Sequence, residues 1–340
     1  MKTLLTRDEF REGVFSRDNN TCVICGNEAQ DAHHIIERRL FNDGGYYLDN
    51  GSSLCGECHL KAESTEISCK EIREACGIEN AVLPEHLYHD NEYDKWGNMI
   101  LPNGHRVKGE LFFEENVQKV IKPFLNSFTD YIKYPRTYHL PFSPNKQNDD
   151  RTLPDCSQFH GKEVVVLEKM DGENTSIYNN YVHARSLENE YHPSRAWVRK
   201  FASRICWEIP DGWRICGENM FAKHAIHYHD LESYFYLFSI WTSRNFCLSW
   251  DETVEYAEIL NISIVPTLWR GIWDDEKMKE IGENLNPETQ EGFVVRTVDG
   301  YDYGAFKNSV AKYVRANHVP GDAGFWKTQE IVKNEIKEEI

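Results

Sequence analysis

Val164-Val165-Val166-Leu167-Glu168-Lys169-Met170-Asp171-Gly172-Glu173 joins an apolar run to an abrupt polar end. Four consecutive β-branched or aliphatic residues predict a buried strand. The strand hands a lysine to a turn, where an acidic residue and a glycine follow at once. Such a placement suits a lysine nucleophile. A free lysine has a pKa of about 10.4 and is almost wholly protonated at neutral pH, so it needs desolvation or nearby cations to react. Surface turns also use Lys-x-Asp-Gly, so the motif counts only with its downstream companions. Those are Gly217-Glu218-Asn219, Phe235-Tyr236-Leu237-Phe238, Glu291-Gly292-Phe293-Val294-Val295-Arg296 and Phe306-Lys307-Asn308-Ser309.

In order and spacing these segments resemble the covalent nucleotidyltransferase superfamily of ATP-dependent RNA ligases, DNA ligases and mRNA capping enzymes. The match is nearest to the RNA ligase family and runs from Tyr131 into the low 320s. The resemblance implies that Lys169 attacks the α-phosphate of ATP, expels pyrophosphate and carries AMP covalently. Glu168 and Asp171 fall beside it in the nucleotide-binding set. Arg185 matches an arginine that contacts the nucleotide sugar or the RNA-end phosphate; the alternative is a surface strand arginine. Glu218 matches a glutamate that hydrogen-bonds ribose. Phe238 matches an aromatic that stacks on adenine, with a core aromatic as its alternative. Glu291 matches a carboxylate that helps hold a catalytic Mg or Mn, and Gly292 is expected to let the chain turn beside the ligand. Lys307 matches a lysine on the phosphates. Relatives carry Lys-x-Lys there, whereas Ala305 holds the first position here. Lys312 or Arg315 could supply the missing charge. Positive neighbours and a metal are expected to lower the Lys169 pKa.

Ten cysteines include two close pairs, Cys22-x-x-Cys25 and Cys55-x-x-Cys58. Two such knuckles can set four thiolates around one zinc ion. Around them lie Asp31-Ala32-His33-His34-Ile35-Ile36, Asp49-Asn50 and Cys58-His59. This part resembles the four-cysteine subgroup of the HNH endonucleases, which implies a ββα-metal finger. By that match His34 is the general base, His33 and His59 ligate a divalent metal, and Asn50 belongs to the same centre by orienting the base or hairpin. Adjacent residues on a strand point to opposite faces, so His33 and His34 can serve one site only where the hairpin is distorted. The alternative is a module that keeps the zinc fold and binds nucleic acid or a partner without cleaving.

The chain has 340 residues and a net charge of −17. That charge argues against coating nucleic acid non-specifically, because such binding is driven by cations on phosphates. It leaves room for an enzyme that grips an end in one basic groove. The acidic surplus at Asp90 to Asp94, Asp274 to Glu276 and Glu335 to Glu339 reads as solvated surface. No apolar run is long enough to span a membrane, and Met1 to Asp8 lacks a signal-peptide core, so a soluble cytoplasmic protein is expected.

The pattern divides into an HNH-like zinc module over 1–80, a connecting region over 81–128, a ligase domain over 129–325 and an acidic tail over 326–340. One helix is expected from Leu60 to Cys76, ending at Gly77. Turn formers fill Ala81 to Lys108, Leu111-Phe112-Phe113 reads as a short strand, and Asn116 to Phe128 as a helix broken at Pro123. Beyond them, Asp149-Asp150-Arg151 reads as a loop at the nucleotide entrance. The fold class is α+β: a small ββα-metal module, then an antiparallel-sheet nucleotidyltransferase domain with no C-terminal OB-fold, since about twenty-five residues follow Arg315. Strands are expected at Glu163–Leu167, Ser176–Tyr178, Arg214–Gly217, Tyr234–Trp241 and Phe293–Thr297, and helices at Glu252–Leu260 and Glu276–Asn284.

These features together lead to an ATP-dependent RNA ligase that seals 3′-hydroxyl and 5′-phosphate ends, joined to an HNH nuclease or nucleic-acid-binding module and used in RNA repair. Its partners would be RNA ends, such as tRNA or other cleaved RNA, with DNA open to the HNH module. The alternatives are a DNA-strand ligase, or an HNH nuclease whose ligase-like half only binds or senses ATP.

Overall fold

The computed structural model describes residues 3–87, 89, 91–147, 150–185, 187, 192–318 and 331–337. Asp90, Asp149 and the tail positions 326–330 and 338–340 lie outside the described residues. The chain divides into two compact units, Met1–Ile132 and Lys133–Ile340. Among the described residues no helix is long and apolar enough to cross a membrane.

The first unit opens with α1 (Arg7–Arg17), closed at its start by a Thr6–Glu9 capping box. Strands β1 (Asp31–His34) and β2 (Gly51–Leu54) pair antiparallel without a register shift. Two helices follow, α2 (Gly56–Glu63) and α3 (Cys69–Ala75). The single helix expected over 60–76 is therefore two. Ser68 caps the second helix and Glu71 returns the bond to the Ser68 backbone, so the chain restarts there. Gly77 then closes α3 in the left-handed region, as a C-terminal glycine does.

A small three-stranded sheet comes next: β3 (Glu92–Tyr93), β4 (Met99–Ile100) and β5 (Arg106–Val107). Leu111-Phe112-Phe113 lies in a 3₁₀ turn over Glu110–Phe113, not a strand. Leu111 and Phe112 are buried in the unit's core, which a tight turn permits at neighbouring positions. Helix α4 (Glu115–Val120) stops before Pro123, and a 3₁₀ segment (Lys122–Ser127) carries the chain on.

In the second unit the elements run β6 (Tyr138–His139), β7 (Glu163–Lys169), β8 (Glu173–Ile177), β9 (Val182–Ala184), α5 (Ala196–Ile205), β10 (Arg214–Asn219), β11 (Phe235–Trp241), β12 (Phe246–Cys247), α6 (Trp250–Ile259), β13 (Thr267–Ile272), α7 (Asp275–Glu283), β14 (Gly292–Thr297), β15 (Tyr301–Asp302) and β16 (Val310–Val314). They build two sheets, ordered β15-β12-β11-β10-β8-β9 and β13-β7-β14-β16-β6. All pairings are antiparallel except β16 with β6.

The apolar run that begins β7 is explained by burial on both faces. Val164 and Val166 pack with Phe293, Ala311, Trp273 and Met278, the last of these on α7. Val165 and Leu167 face the other way, toward Met220, Tyr236 and Trp250. That second cluster fills the space between the two sheets. Helices α5 and α6 cover the far side of the six-stranded sheet through Val198, Ala202 and Ala257. Each fully buried side chain of this kind contributes about 1.5–3 kcal/mol. The fold is thus α+β, with a small first unit that runs β1-β2-α2 and a second unit of two largely antiparallel sheets.

Candidate active site and metal centres

Lys169 is the last residue of β7 and pairs with Gly292 at the start of β14. A Cβ on Gly292 would stand 2.0 Å from the Tyr313 carbonyl oxygen on β16. Glycine is thus required by close backbone approach inside a strand; the expected turn at Gly292 is not there. The pairing sets Glu291 beside Lys169, whose Nζ donates to Glu291 Oε2 at 2.6 Å.

Across the cleft, β10 carries a register shift between Cys216 and Gly217. A bulge of this kind re-aims the side chains that follow it. Glu218, Phe238, Lys169, Glu168, Arg185 and Lys312 all line one cavity of about 250 Å³, with Asn174, Asp150, Arg136 and Tyr134. Phe238 is half-buried and meets the Tyr134 ring edge-on, with centroids 5.2 Å apart. One face of Phe238 therefore serves the wall of the cleft as well as the packing behind it.

The electrostatics correct one expectation. Burial pulls the Lys169 pKa down, but Glu291, Glu218 and Asp171 outweigh it and raise it above the ordinary lysine value. Glu291, the bonded partner of Nζ, leads this effect and holds the amine as an ammonium. Glu218 shows the converse. Burial pushes it up to about 8 against the pull of Lys169, helped by Glu291. Burial thus favours its protonated form, which can donate as well as accept.

Lys312 sits on β16 and reaches Asp150 Oδ1 at 3.0 Å. Burial lowers its pKa, with Asp150 opposing. Lys307 lies on a 3₁₀ turn (Tyr303–Asn308) and is not among the residues lining the cavity. Arg315 donates to the Gln290 carbonyl at 2.7 Å, holding the approach to Glu291. Gln290 in turn donates to Glu168 at 3.0 Å. Asp171 does not line the cavity. Its Oδ2 accepts from the backbone N–H groups of Ala225 and Ile226 at 2.7 and 2.8 Å. Asp171, Glu291 and His318 nonetheless bring ligand atoms within 4.8 Å of one another, a group that could take a divalent cation. His318 had no sequence signal, because it belongs to none of the quoted motifs and only the fold sets it beside Asp171 and Glu291.

In the first unit, Cys22, Cys25, Cys55 and Cys58 bring their sulfurs within 4.8 Å of one another. All four are free thiols. Cys25 Sγ and Cys55 Sγ are 3.6 Å apart. Tetrahedral thiolates at 2.3 Å from zinc stand about 3.8 Å apart, so the set fits zinc.

A second cluster joins His33, His59 and Glu63. His59 Nε2 is 3.2 Å and His33 Nδ1 3.5 Å from Glu63 Oε1. Both ring nitrogens of buried His33 lack a hydrogen-bond partner, as a metal ligand would in a metal-free chain. Burial, then Lys95, holds His33 down to about 3, in the neutral form that ligation needs. The donor set of two imidazoles and a carboxylate suits a divalent metal.

Asn50 Oδ1 accepts from Ile36 N at 2.9 Å and its Nδ2 donates to Ile36 O and Gly45 O, so it ties the loop that follows β1. Glu63 is a member of the cluster that the sequence reading did not name. Its signal was the spacing His59 to Glu63, one helical turn along α2. Lys95 was also missed. It is buried, 3.0 Å from Glu63, and donates to the His34 carbonyl.

His34 leaves β1 on the face opposite His33, since the pairing has no bulge. Its ring stacks on Phe10 with centroids 4.4 Å apart and meets Tyr46 edge-on. Burial, then Lys95, lowers it to about 4. The distortion required for His33 and His34 to serve one site is absent from the strand.

Comparison with known proteins agrees with both halves. Residues 162–314 match the family model for RNA ligase, and residues 22–65 that for HNH endonuclease. No curated protein matches the chain. Among solved structures, a chain named only provisionally as an ATP-dependent DNA ligase, from Aquifex aeolicus, is 24% identical with a TM-score of 0.38, covering 54% of this chain and 50% of that one. An archaeal ATP-dependent RNA ligase is 17% identical with a TM-score of 0.41, covering 54% and 48%. A Naegleria gruberi RNA ligase mutant, solved with ATP and Mn, is 18% identical with a TM-score of 0.36, covering 54% and 60%. The match therefore spans only about half of these solved chains. By these two matches, residues 22–65 are similar to an HNH endonuclease module and residues 162–314 to an RNA ligase domain.

Proposed function

We propose that the second unit is an ATP-dependent RNA ligase that seals a 3′-hydroxyl to a 5′-phosphate through AMP held on Lys169. The observation that carries this reading is one cleft between two sheets that gathers Lys169, Glu218, Phe238, Arg185 and Lys312, with Glu291 bonded to the lysine. Phe238 offers a ring face to adenine, and the protonated Glu218 a hydrogen bond to ribose. Lys312 supplies the cation that Ala305 does not, and stabilises charge as it builds on the phosphates. A divalent cation, Mg or Mn, adds charge neutralisation and would be held by Glu291 with Asp171 and His318 in reach.

Lys169 begins as an ammonium paired to Glu291. Nζ can lose its proton to solvent once its bond to Glu291 weakens, and a divalent cation held by Glu291 would supply that weakening. The amine then bonds to the α-phosphorus while the bond to the pyrophosphate oxygen breaks, and pyrophosphate leaves with the electron pair. In the later steps AMP passes to the 5′-phosphate end, and the 3′-hydroxyl displaces it to close the strand. Arg136 and Arg185 line the cleft and would supply cationic contacts to that end. Repair of cleaved RNA in the cytoplasm, tRNA included, is the use we infer. Sealing of nicked RNA and of nicked DNA of one sequence tests this. Faster sealing of RNA supports it; sealing of DNA alone would make the protein a DNA-strand ligase.

For the first unit, the packing of His34 between Phe10 and Tyr46 favours a zinc-stapled, metal-holding module that binds nucleic acid. Cleavage through His34 requires its ring to leave that stack. Metal-dependent cutting of DNA or RNA that is lost in His34→Ala would reverse this preference.

A further inference from the structure

His227, His229 and Glu335 bring ligand atoms within 4.8 Å of one another, in the second unit and outside the cleft. The two histidines are neighbours in alternation, with ring centroids 4.2 Å apart. Glu335 comes from the far end of the chain. It arrives because residues 331–337 are laid along the loop from 221 to 231 by backbone bonds that do not involve the three side chains. Asn334 N–H donates to the Phe221 carbonyl, Glu335 N–H to Tyr228 and Lys337 N–H to Leu231. Asn334 is buried, donates to the Met220 carbonyl at 2.7 Å and accepts from Tyr228 N–H at 3.0 Å. The ligand-bearing backbones are therefore fixed before any ion arrives, which is what a tight site needs.

The tautomer of His227 is also set. Its Nε2 lies 3.0 Å from the Lys333 carbonyl. A carbonyl only accepts, so Nε2 carries the hydrogen and Nδ1 of the neutral ring keeps its lone pair. A carbonyl hydrogen-bonded to one ring nitrogen is the usual companion of a metal on the other. His229 Nδ1 and Glu335 Oε2 are 3.0 Å apart, so imidazole and carboxylate already converge. Asp230 and Glu232 line the same cavity as the two histidines and add negative charge around it.

We propose that His227, His229 and Glu335 form a divalent transition-metal site of the zinc class that clamps residues 331–337 onto the loop carrying the histidines. Two imidazoles and a carboxylate suit zinc and leave a fourth position for water. The loop it would stiffen is the one whose Ala225 and Ile226 N–H groups hold Asp171.

The test uses the full chain and zinc alone as the probe. Wild type and the double variant His229→Ala, Glu335→Gln are dialysed against buffered free zinc, and metal per chain is counted by mass spectrometry. The cysteine and His33 clusters bind equally in both, so the difference reports this site. The clamp predicts one more zinc in wild type. It also predicts that zinc slows amide exchange at Asn334, Glu335 and Lys337 in wild type only, by about tenfold when free zinc is about ten times the dissociation constant. Equal zinc counts, or exchange at these amides that does not respond to zinc, would overturn it.

Discussion

The centre of the ligase reading is a lysine whose neighbours point the wrong way for a resting nucleophile. Glu291 at 2.6 Å, with Glu218 and Asp171 near, keeps Lys169 above the usual lysine pKa despite burial. Removing one anion lowers the pKa of the cation it favoured. In Glu291→Gln, labelling of Lys169 by an amine reagent, followed by peptide mass against pH, should therefore shift to lower pH. No shift would mean the pair is not formed in solution. A second prediction separates two lysines that the motif could not rank. Lys312→Ala should slow adenylyl transfer by about a hundredfold, on the scale of losing one charge-stabilising group, while Lys307→Ala costs little. Single-turnover rates decide between them. Sequence order alone favoured Lys307 because Phe306-Lys307-Asn308-Ser309 carries the familiar letters. The sheet favours Lys312, because its strand pairs with the one that follows Glu291.

Elements were legible where pattern and burial coincide. The run Val164 to Leu167 reads as a buried strand because both of its faces are covered. Val166→Ala should accordingly cost about 2–3 kcal/mol in denaturant unfolding of the second unit, far more than an exposed strand position. The elements that were misread depend on local bonds. Ser68 and Glu71 interrupt what looked like one helix, and Leu111 to Phe113 are apolar yet coil into a 3₁₀ turn. The site was legible to the extent that its residues lie in motifs. Glu63 was passed over although it stands one helical turn from His59, and His318 was missed because only the fold brings it to Asp171 and Glu291.

At the scale of the whole chain there are two units with separate hydrophobic cores. The first gathers four cysteine sulfurs in a set that fits zinc, and structural zinc of this kind contributes folding free energy directly. Cys58→Ser should remove zinc and strip amide protection across the first unit, while AMP transfer to the second unit persists. Loss of both together would show that the ligase unit depends on the zinc module.

The most direct measurement is transfer of label from ATP carrying it on the α-phosphate. Wild type, first treated with pyrophosphate to clear any AMP already bound, is incubated with magnesium or manganese and labelled ATP, denatured, and compared with Lys169→Ala. The account predicts label on wild type, at Lys169, and none on the variant. An unlabelled wild type, or label that survives in Lys169→Ala, would contradict it.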